Sequence, residues 1–283
     1  MATSICSVGN PNKGTNFCSL GEVRKAVEEF SSDGTLSGAL KKAKVRSETQ
    51  LLQNPEFLAF CNERGLSPAL VEKHFKEIFA PTGPHKCCDL LSNFNIEDAL
   101  RDLRTKYDWL YIHPCNMINF EEYGGSLTTV PAGEYLKYKA MACVLNTDVD
   151  NGRGKHWVCI FCDFRHPDKG YSFEFFNSSG NGPGTVRDKI KRDGTKGDVY
   201  GIIMNFLDVL ANDINRSTGV PCRAVIATDV RNPHQKSDTE CGPYCLYYIH
   251  MRCRGVSYKK FRDERIPDEV VTDFRAFVFR PES

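Results

Sequence analysis

Apolar positions keep a helical period up to about residue 84 and a strand-like one beyond it. Val23, Val27 and Phe30 follow Ser19-Leu20-Gly21-Glu22, which has capping-box spacing. Asn54-Pro55-Glu56 opens a second helix with cap and first-turn chemistry, and Gly65 closes it. Ser67-Pro68 opens a third, with Leu70, Val71, His74, Phe75 and Ile78 on one side. Residues 1 to about 18 are polar and read as a loose tail, and Ala80-Pro81-Thr82-Gly83-Pro84 breaks the pattern. The pattern predicts an all-helical N-terminal arm over residues 1–84 and a second domain over 85–283.

Past the break, Asn95 is placed to cap the helix IEDALRDLRTKY. WLYIHP, EYLKYKAMACVLN, HWVCIFCDF and YSFEFFN read as strands. A Gly-, Lys- and Arg-rich stretch then leads to the amphipathic helix VYGIIMNFLDVLANDI. RAVIATDV reads as a further strand, and RIPDEVVTDFRAFVFR as a last helix. Strands followed by helices predict an α+β fold with a mixed or antiparallel sheet.

Composition narrows the function classes. The 283 residues carry 37 basic and 36 acidic side chains, so no global field points to nucleic acid or a membrane surface. MATSICSVGNPNKG has no secretory pattern, no apolar run reaches the length of a membrane span, and FRPES carries no lipidation box. The expectation is a protein of a reducing, cytosol-like space. The 13 cysteines are odd in number and irregular in spacing, which predicts buried thiols rather than a disulfide framework. Cys159 and Cys162 form a CxxC, but on a strand they face opposite sides, so no metal site is expected. No cofactor is expected either.

Candidate chemistry lies on a hairpin and a helix corner. HWVCIFCDF begins with His156 and YSFEFFN ends with Asn177, with turn residues between them. A hairpin centred between His166 and Pro167 makes His156 and Asn177 cross-strand neighbours. An Asn amide beside a His fixes its tautomer and ring orientation. Downstream, TECGPYCLYYIHM places Cys241 where a loop becomes a helix. Unpaired N–H groups and the helix dipole favour a thiolate there, and Gly242 leaves room for an approaching carbonyl. His156 is the candidate base, and Gln235, six positions before Cys241, a candidate oxyanion donor. Each residue taken singly has a structural reading; Trp157 reads equally as a core anchor.

The order His, Asn, Gln, Cys-Gly resembles the clan of adenovirus-type (adenain) and SUMO-deconjugating cysteine proteases, a papain-like fold with another chain order. LLSNFNIEDAL, CVLNTD, GKHW, FFNSSGN, TECGPYCLYYI and FRAFVFR more closely resemble the polyprotein-processing cysteine proteases of African swine fever virus and related large DNA viruses. The resemblance implies His156 as general base, Asn177 as orienter, Cys241 as nucleophile and Gln235 as oxyanion donor. It implies Trp157 as the wall of a narrow channel that admits Gly-Gly. It further implies cleavage of viral structural polyproteins after Gly-Gly-Xaa motifs during virion maturation, in the host cytoplasm and the virion. Removal of ubiquitin-like modifiers such as SUMO and acyl-CoA-dependent acetyl transfer are the competing activities in the clan. Two departures stand out: Asp238 just before the nucleophile, placed to raise the thiol pKa or alter substrate preference, and a basic insert at 187–196, most simply a solvated loop and secondarily a route to nucleic acid or acidic precursors. Gly124-Gly125 is a conceivable self-cleavage site but reads as a plain loop.

Overall fold

The long central strands read as unbroken apolar runs because both of their faces are covered. This is seen in a computed structural model, which describes residues 5–15, 17–84 and 89–280. Residues 1–4 and 16 of the expected tail and the last three of FRPES lie outside the described residues. The chain divides into two compact units, Met1–His85 with Ala276–Ser283, and Lys86–Arg275. The closing residues, expected with the second domain, group with the first unit.

The first unit holds helices α1 (Gly21–Phe30), α2 (Leu36–Ala43), α3 (Glu48–Leu51), α4 (Pro55–Glu63) and α5 (Pro68–Ile78). Asn54 Oδ1 caps α4 by accepting from the Glu56 and Phe57 N–H groups, and Ser67 caps α5. Phe30 meets Phe57 edge-on at 5.3 Å within a core that includes Val27, Cys61 and Val71. Three expectations fail here. The capping box does not form: Leu20 is the N-cap, because the buried Glu48 carboxylate takes the Cys18 and Ser19 N–H groups at 2.7 and 2.8 Å. The tail is not loose over its described residues: Asn10 donates to the Cys18 and Ile78 carbonyls, and Cys6 and Cys18 are joined by a disulfide. Leu70 lies 45% exposed rather than in the apolar face of α5. From the other end of the chain, the Arg280 N–H donates to Pro81 O at 2.9 Å, and Lys13 donates to Phe277 O at 2.7 Å.

In the second unit come α6 (Asn93–Lys106), β1 (Leu110–Ile112), β2 (Asn116–Met117) and three one-turn helices, α7 (Phe120–Tyr123), α8 (Ser126–Thr129) and α9 (Ala132–Tyr135). Ser92, not Asn95, caps α6, and Asn95 completes a capping box from the third helical position. EYL, expected to open a strand, ends α9 instead; the strand β3 is Ala140–Asn146. It is followed by β4 (Trp157–Asp163), β5 (Tyr171–Phe176), the short hairpin β6 (Arg187–Lys189) and β7 (Lys196–Asp198), then α10 (Val199–Thr218) and β8 (Cys222–Ile226). α11 (Cys241–Cys253), α12 (Tyr258–Asp263) and α13 (Asp268–Val278) close the chain.

The main sheet has the order β1-β3-β4-β5-β8, with β2 also on β3. It is mixed: β3, β4 and β5 are antiparallel, while β1, β2 and β8 join in parallel. Val158, Ile160, Phe173 and Phe175 share a core with Leu207 and Ile214 of α10. The intervening positions face α11, where Phe176 stacks on Tyr248 at 4.3 Å and Cys159 Sγ donates to Cys245 O. The α+β sheet flanked by helices, with a helical N-terminal region, agrees with the sequence.

A buried ion network locks α11 to the sheet. Arg252 donates to both Glu174 oxygens at 2.7 Å and to Asp163 at 2.8 Å, and Tyr248 donates to Glu174 at 2.6 Å. This fixes where the N-terminus of α11 meets the sheet.

Candidate active site

His156 and Asn177 lie just outside β4 and β5, at the same end of the sheet. The strand register is Cys159↔Phe176, so Asn177 falls opposite Val158, two residues from the expected partner. A slip of two keeps both side chains on their original faces. His156 Nε2 and Asn177 Oδ1 are 2.7 Å apart. The amide orientation follows from its other bonds: Ser179 donates to Oδ1 through N–H at 3.1 Å and Oγ at 2.9 Å, while Nδ2 donates to Asn181 O at 2.9 Å. Oδ1 can only accept, so Nε2 carries the proton and Nδ1 keeps its lone pair. Burial holds the His156 pKa below its usual value, against the Asn177 bond.

Cys241 is the first residue of α11, as the sequence predicts. Its sulfur faces backbone N–H groups of Trp157, Gly242 and Cys241 itself. The Trp157 N–H places the thiol beside the residue that follows His156. Burial works against the expected thiolate. Burial pushes the Cys241 pKa up to about 11, and the three N–H groups pull it down by less. Burial, rather than the exposed Asp238, sets the direction.

Trp157 is 8% exposed, and its Nε1 donates to Leu91 O at 3.0 Å. It lines, with Cys241, a cleft of about 680 Å³ whose rim carries Leu90, Arg153 and Lys155. Leu91 does a second job: a Cβ on Gly242 would stand 3.2 Å from Leu91 Cβ. Gly242 therefore admits Leu91, a tighter demand than room for a substrate.

Gln235 is anchored to the neighbour of Asn177. Its N–H donates to Ser178 O at 3.0 Å, and Ser178 Oγ donates to its Oε1 at 2.7 Å. One Nε2 hydrogen goes to Ser237 O at 2.6 Å. The second is the hydrogen an oxyanion would need.

A profile of the Ulp1 protease family, C-terminal catalytic domain, matches residues 143–282. A relative from African swine fever virus, described as a SUMO-1 cysteine protease, is 32% identical over 249 residues, which cover 83% of this chain and 82% of that one. The chain belongs to this protease family. A second relative, from the Vero-adapted Badajoz strain and described as a cysteine protease, matches to the same extent. A crystal structure of the African swine fever virus protease superposes with a TM-score of 0.77 at 28% identity, covering 99% of this chain and 97% of that one. The protein is a cysteine protease of Ulp1 type, with the papain-like core that this family shares.

As a Ulp1-family protease it has supports that the sequence did not mark. Asp268 accepts from the Lys236 and Ser237 N–H groups at 3.1 and 2.9 Å and from Tyr244 OH at 2.9 Å. Arg275 donates to Glu240 at 3.0 Å and to Thr239 O at 3.1 Å. The segment from Gln235 to Cys241 is thus held from behind by α13. The basic insert folds as the β6–β7 hairpin, with Arg192 paired to Asp150 and Lys155 to Asp188 at 2.8 Å. Gly124 ends α7 at φ 68°, and the buried Gly125 packs against Asn116, a poor place for self-cleavage. Among the described residues no group of His, Cys, Asp and Glu could hold a metal, and no helix is long and apolar enough to cross a membrane.

Proposed function

We propose that the protein is a viral cysteine endopeptidase that cleaves structural polyprotein precursors after Gly-Gly-Xaa-type sites during virion maturation, in the host cytoplasm and the virion. Residues 1–84, joined by the closing residues that group with them, serve as an arm domain, and the remainder of 85–283 as the protease core. The observation that supports the chemistry is the His156–Asn177 bond, which leaves the lone pair on Nδ1, together with the thiol of Cys241 facing the N–H of Trp157, the residue after His156; in this reading Nδ1 serves as the base for that thiol. Cys241 Sγ attacks the scissile carbonyl carbon while His156 Nδ1 takes the thiol proton. The oxyanion accepts from Gln235 Nε2 and from N–H groups at the start of α11. The C–N bond then breaks as His156 returns the proton to the leaving amine. Water, deprotonated by His156, hydrolyses the thioester and restores the thiol. Trp157 narrows the cleft, favouring glycine next to the broken bond.

The test is cleavage of a Gly-Gly-Xaa peptide by the wild type and by Cys241→Ala. Loss of turnover with an unchanged circular dichroism spectrum supports the assignment; undiminished turnover overturns it. A second reading, removal of ubiquitin-like modifiers, is favoured by the description of the African swine fever virus relative as a SUMO-1 cysteine protease. A modifier carrying a C-terminal vinyl sulfone would label Cys241 under that reading and leave it unlabelled under the first. Acetyl transfer would require acyl-CoA in the assay.

A further inference from the structure

The end of the sheet away from Cys241 carries a second cavity of about 320 Å³. It lies around the β4–β5 connection, where β4 ends at Asp163 and β5 begins at Tyr171. His156 and Asn177 flank the opposite ends of the same strands. At about 3.3 Å per residue, the two sites are roughly 20 Å apart.

The walls are strongly basic. Arg165, His166, Lys169, Arg223 and Arg252 line the cavity against one acidic residue, Asp163. The inner charges already cancel. Arg252 spans Glu174 and Asp163, and Arg165 is held by both Asp163 oxygens, at 2.8 and 2.6 Å. Buried at Arg252 and half-buried at Arg165, with its charges satisfied, this layer forms a fixed floor. The outer charges do not cancel: Lys169 and Arg223 are in no ion pair among the described residues and stand exposed at the mouth, with the His166 side chain beside them. Asp168, in the same turn, is not part of the lining.

The backbone holds these cations together. Arg223 is the β8 partner of Ser172 in the parallel register. Lys169 ends the 3-10 turn Pro167–Lys169, and Gly170 follows at φ 81°. A Cβ on Gly170 would meet the Pro221 carbonyl oxygen at 2.7 Å, and the Tyr171 N–H donates to that oxygen at 2.8 Å. The turn is therefore seated on the segment that leads to Arg223. Gly255 and Tyr258 close the other side without adding charge of either sign.

We propose that this cavity binds a small molecule bearing two or more phosphoryl groups. Guanidinium and ammonium groups around a concave, rigid floor provide the charge-assisted donors that phosphoryl oxygens take. A neutral or cationic ligand would leave the outer charges uncompensated. The bound anion bridges Lys169 to Arg223, tying the β4–β5 turn to β8, and so stabilises the folded chain.

The test is calorimetric titration of the full chain with sodium tripolyphosphate at 0.15 M ionic strength, with ATP as a parallel arm. Saturable binding, weakened at least about tenfold in Lys169→Glu/Arg223→Glu, supports the proposal. Both residues are exposed and far from Cys241, so peptide cleavage by the double variant serves as the folding control. Equal affinity for the two ligands marks the polyphosphate chain alone as the ligand; tighter ATP binding marks a nucleotide. Absence of saturation in the wild type, unchanged affinity in the double variant, or equal competition by sulfate at matched ionic strength overturns it.

Discussion

Asn177 holds His156 by a single 2.7 Å bond and is itself held by Ser179 and Asn181. The imidazole is thereby fixed in one tautomer without a nearby negative charge. Asn177→Ala is expected to lower kcat for peptide cleavage about 100-fold, with KM little changed. Asn177→Asp supplies a carboxylate that favours imidazolium, so the acidic limb of its kcat/KM profile moves to higher pH. An unshifted limb would mean that the Asn177 contact does not govern the base.

The pH dependence of the thiol follows from two directions of shift. Burial raises the Cys241 pKa to about 11 and lowers that of His156, so both shifts oppose a resting thiolate–imidazolium pair. Iodoacetamide should therefore label Cys241 faster as pH rises from 6 to 10, without a plateau. A rate already flat across that range would reveal a thiolate–imidazolium pair instead.

Gln235 needs its loop in place to face an oxyanion. Gln235→Ala is expected to lower kcat about 100-fold. Asp268→Ala frees the Lys236 and Ser237 N–H groups, and kcat should fall about tenfold. In Gln235→Ala, the Asp268→Ala change should add little, because the donor that the loop positions is already gone. Steady-state kinetics on the four proteins decide this; full additivity would assign Asp268 a role unrelated to Gln235.

Arg252 and Glu174 form the buried centre of the α11–sheet contact. Arg252→Met strands the Glu174 carboxylate and should cost about 3–5 kcal/mol in urea unfolding. Adding Glu174→Gln should recover a large part of that loss. A single variant of wild-type stability would mean that water reaches the carboxylate.

What the sequence revealed follows what burial writes into it. β4 and β5 are covered on both faces, so they appear as continuous apolar runs, and Cys241 is marked by the polar loop that ends there. The His156–Asn177 register was misplaced by two residues because the turn takes in the 3-10 helix Pro167–Lys169. Leu91, Ser178 and Asp268 left no signal. Each acts through backbone or side-chain contacts to a segment distant in sequence. The Cys6–Cys18 pair was hidden among 13 cysteines, where spacing does not fix connectivity. The sequence shows the helix N-terminus that favours a thiolate at Cys241 but not the burial that opposes it.

The grouping of residues 276–280 with the first unit has a consequence for biosynthesis. Arg280 and Phe277 dock on Pro81 and Lys13, which leave the ribosome some two hundred residues earlier. The first unit's helices must wait, with that docking surface open, until residues 277–280 have been made. The first unit is thus completed only after the second has been translated.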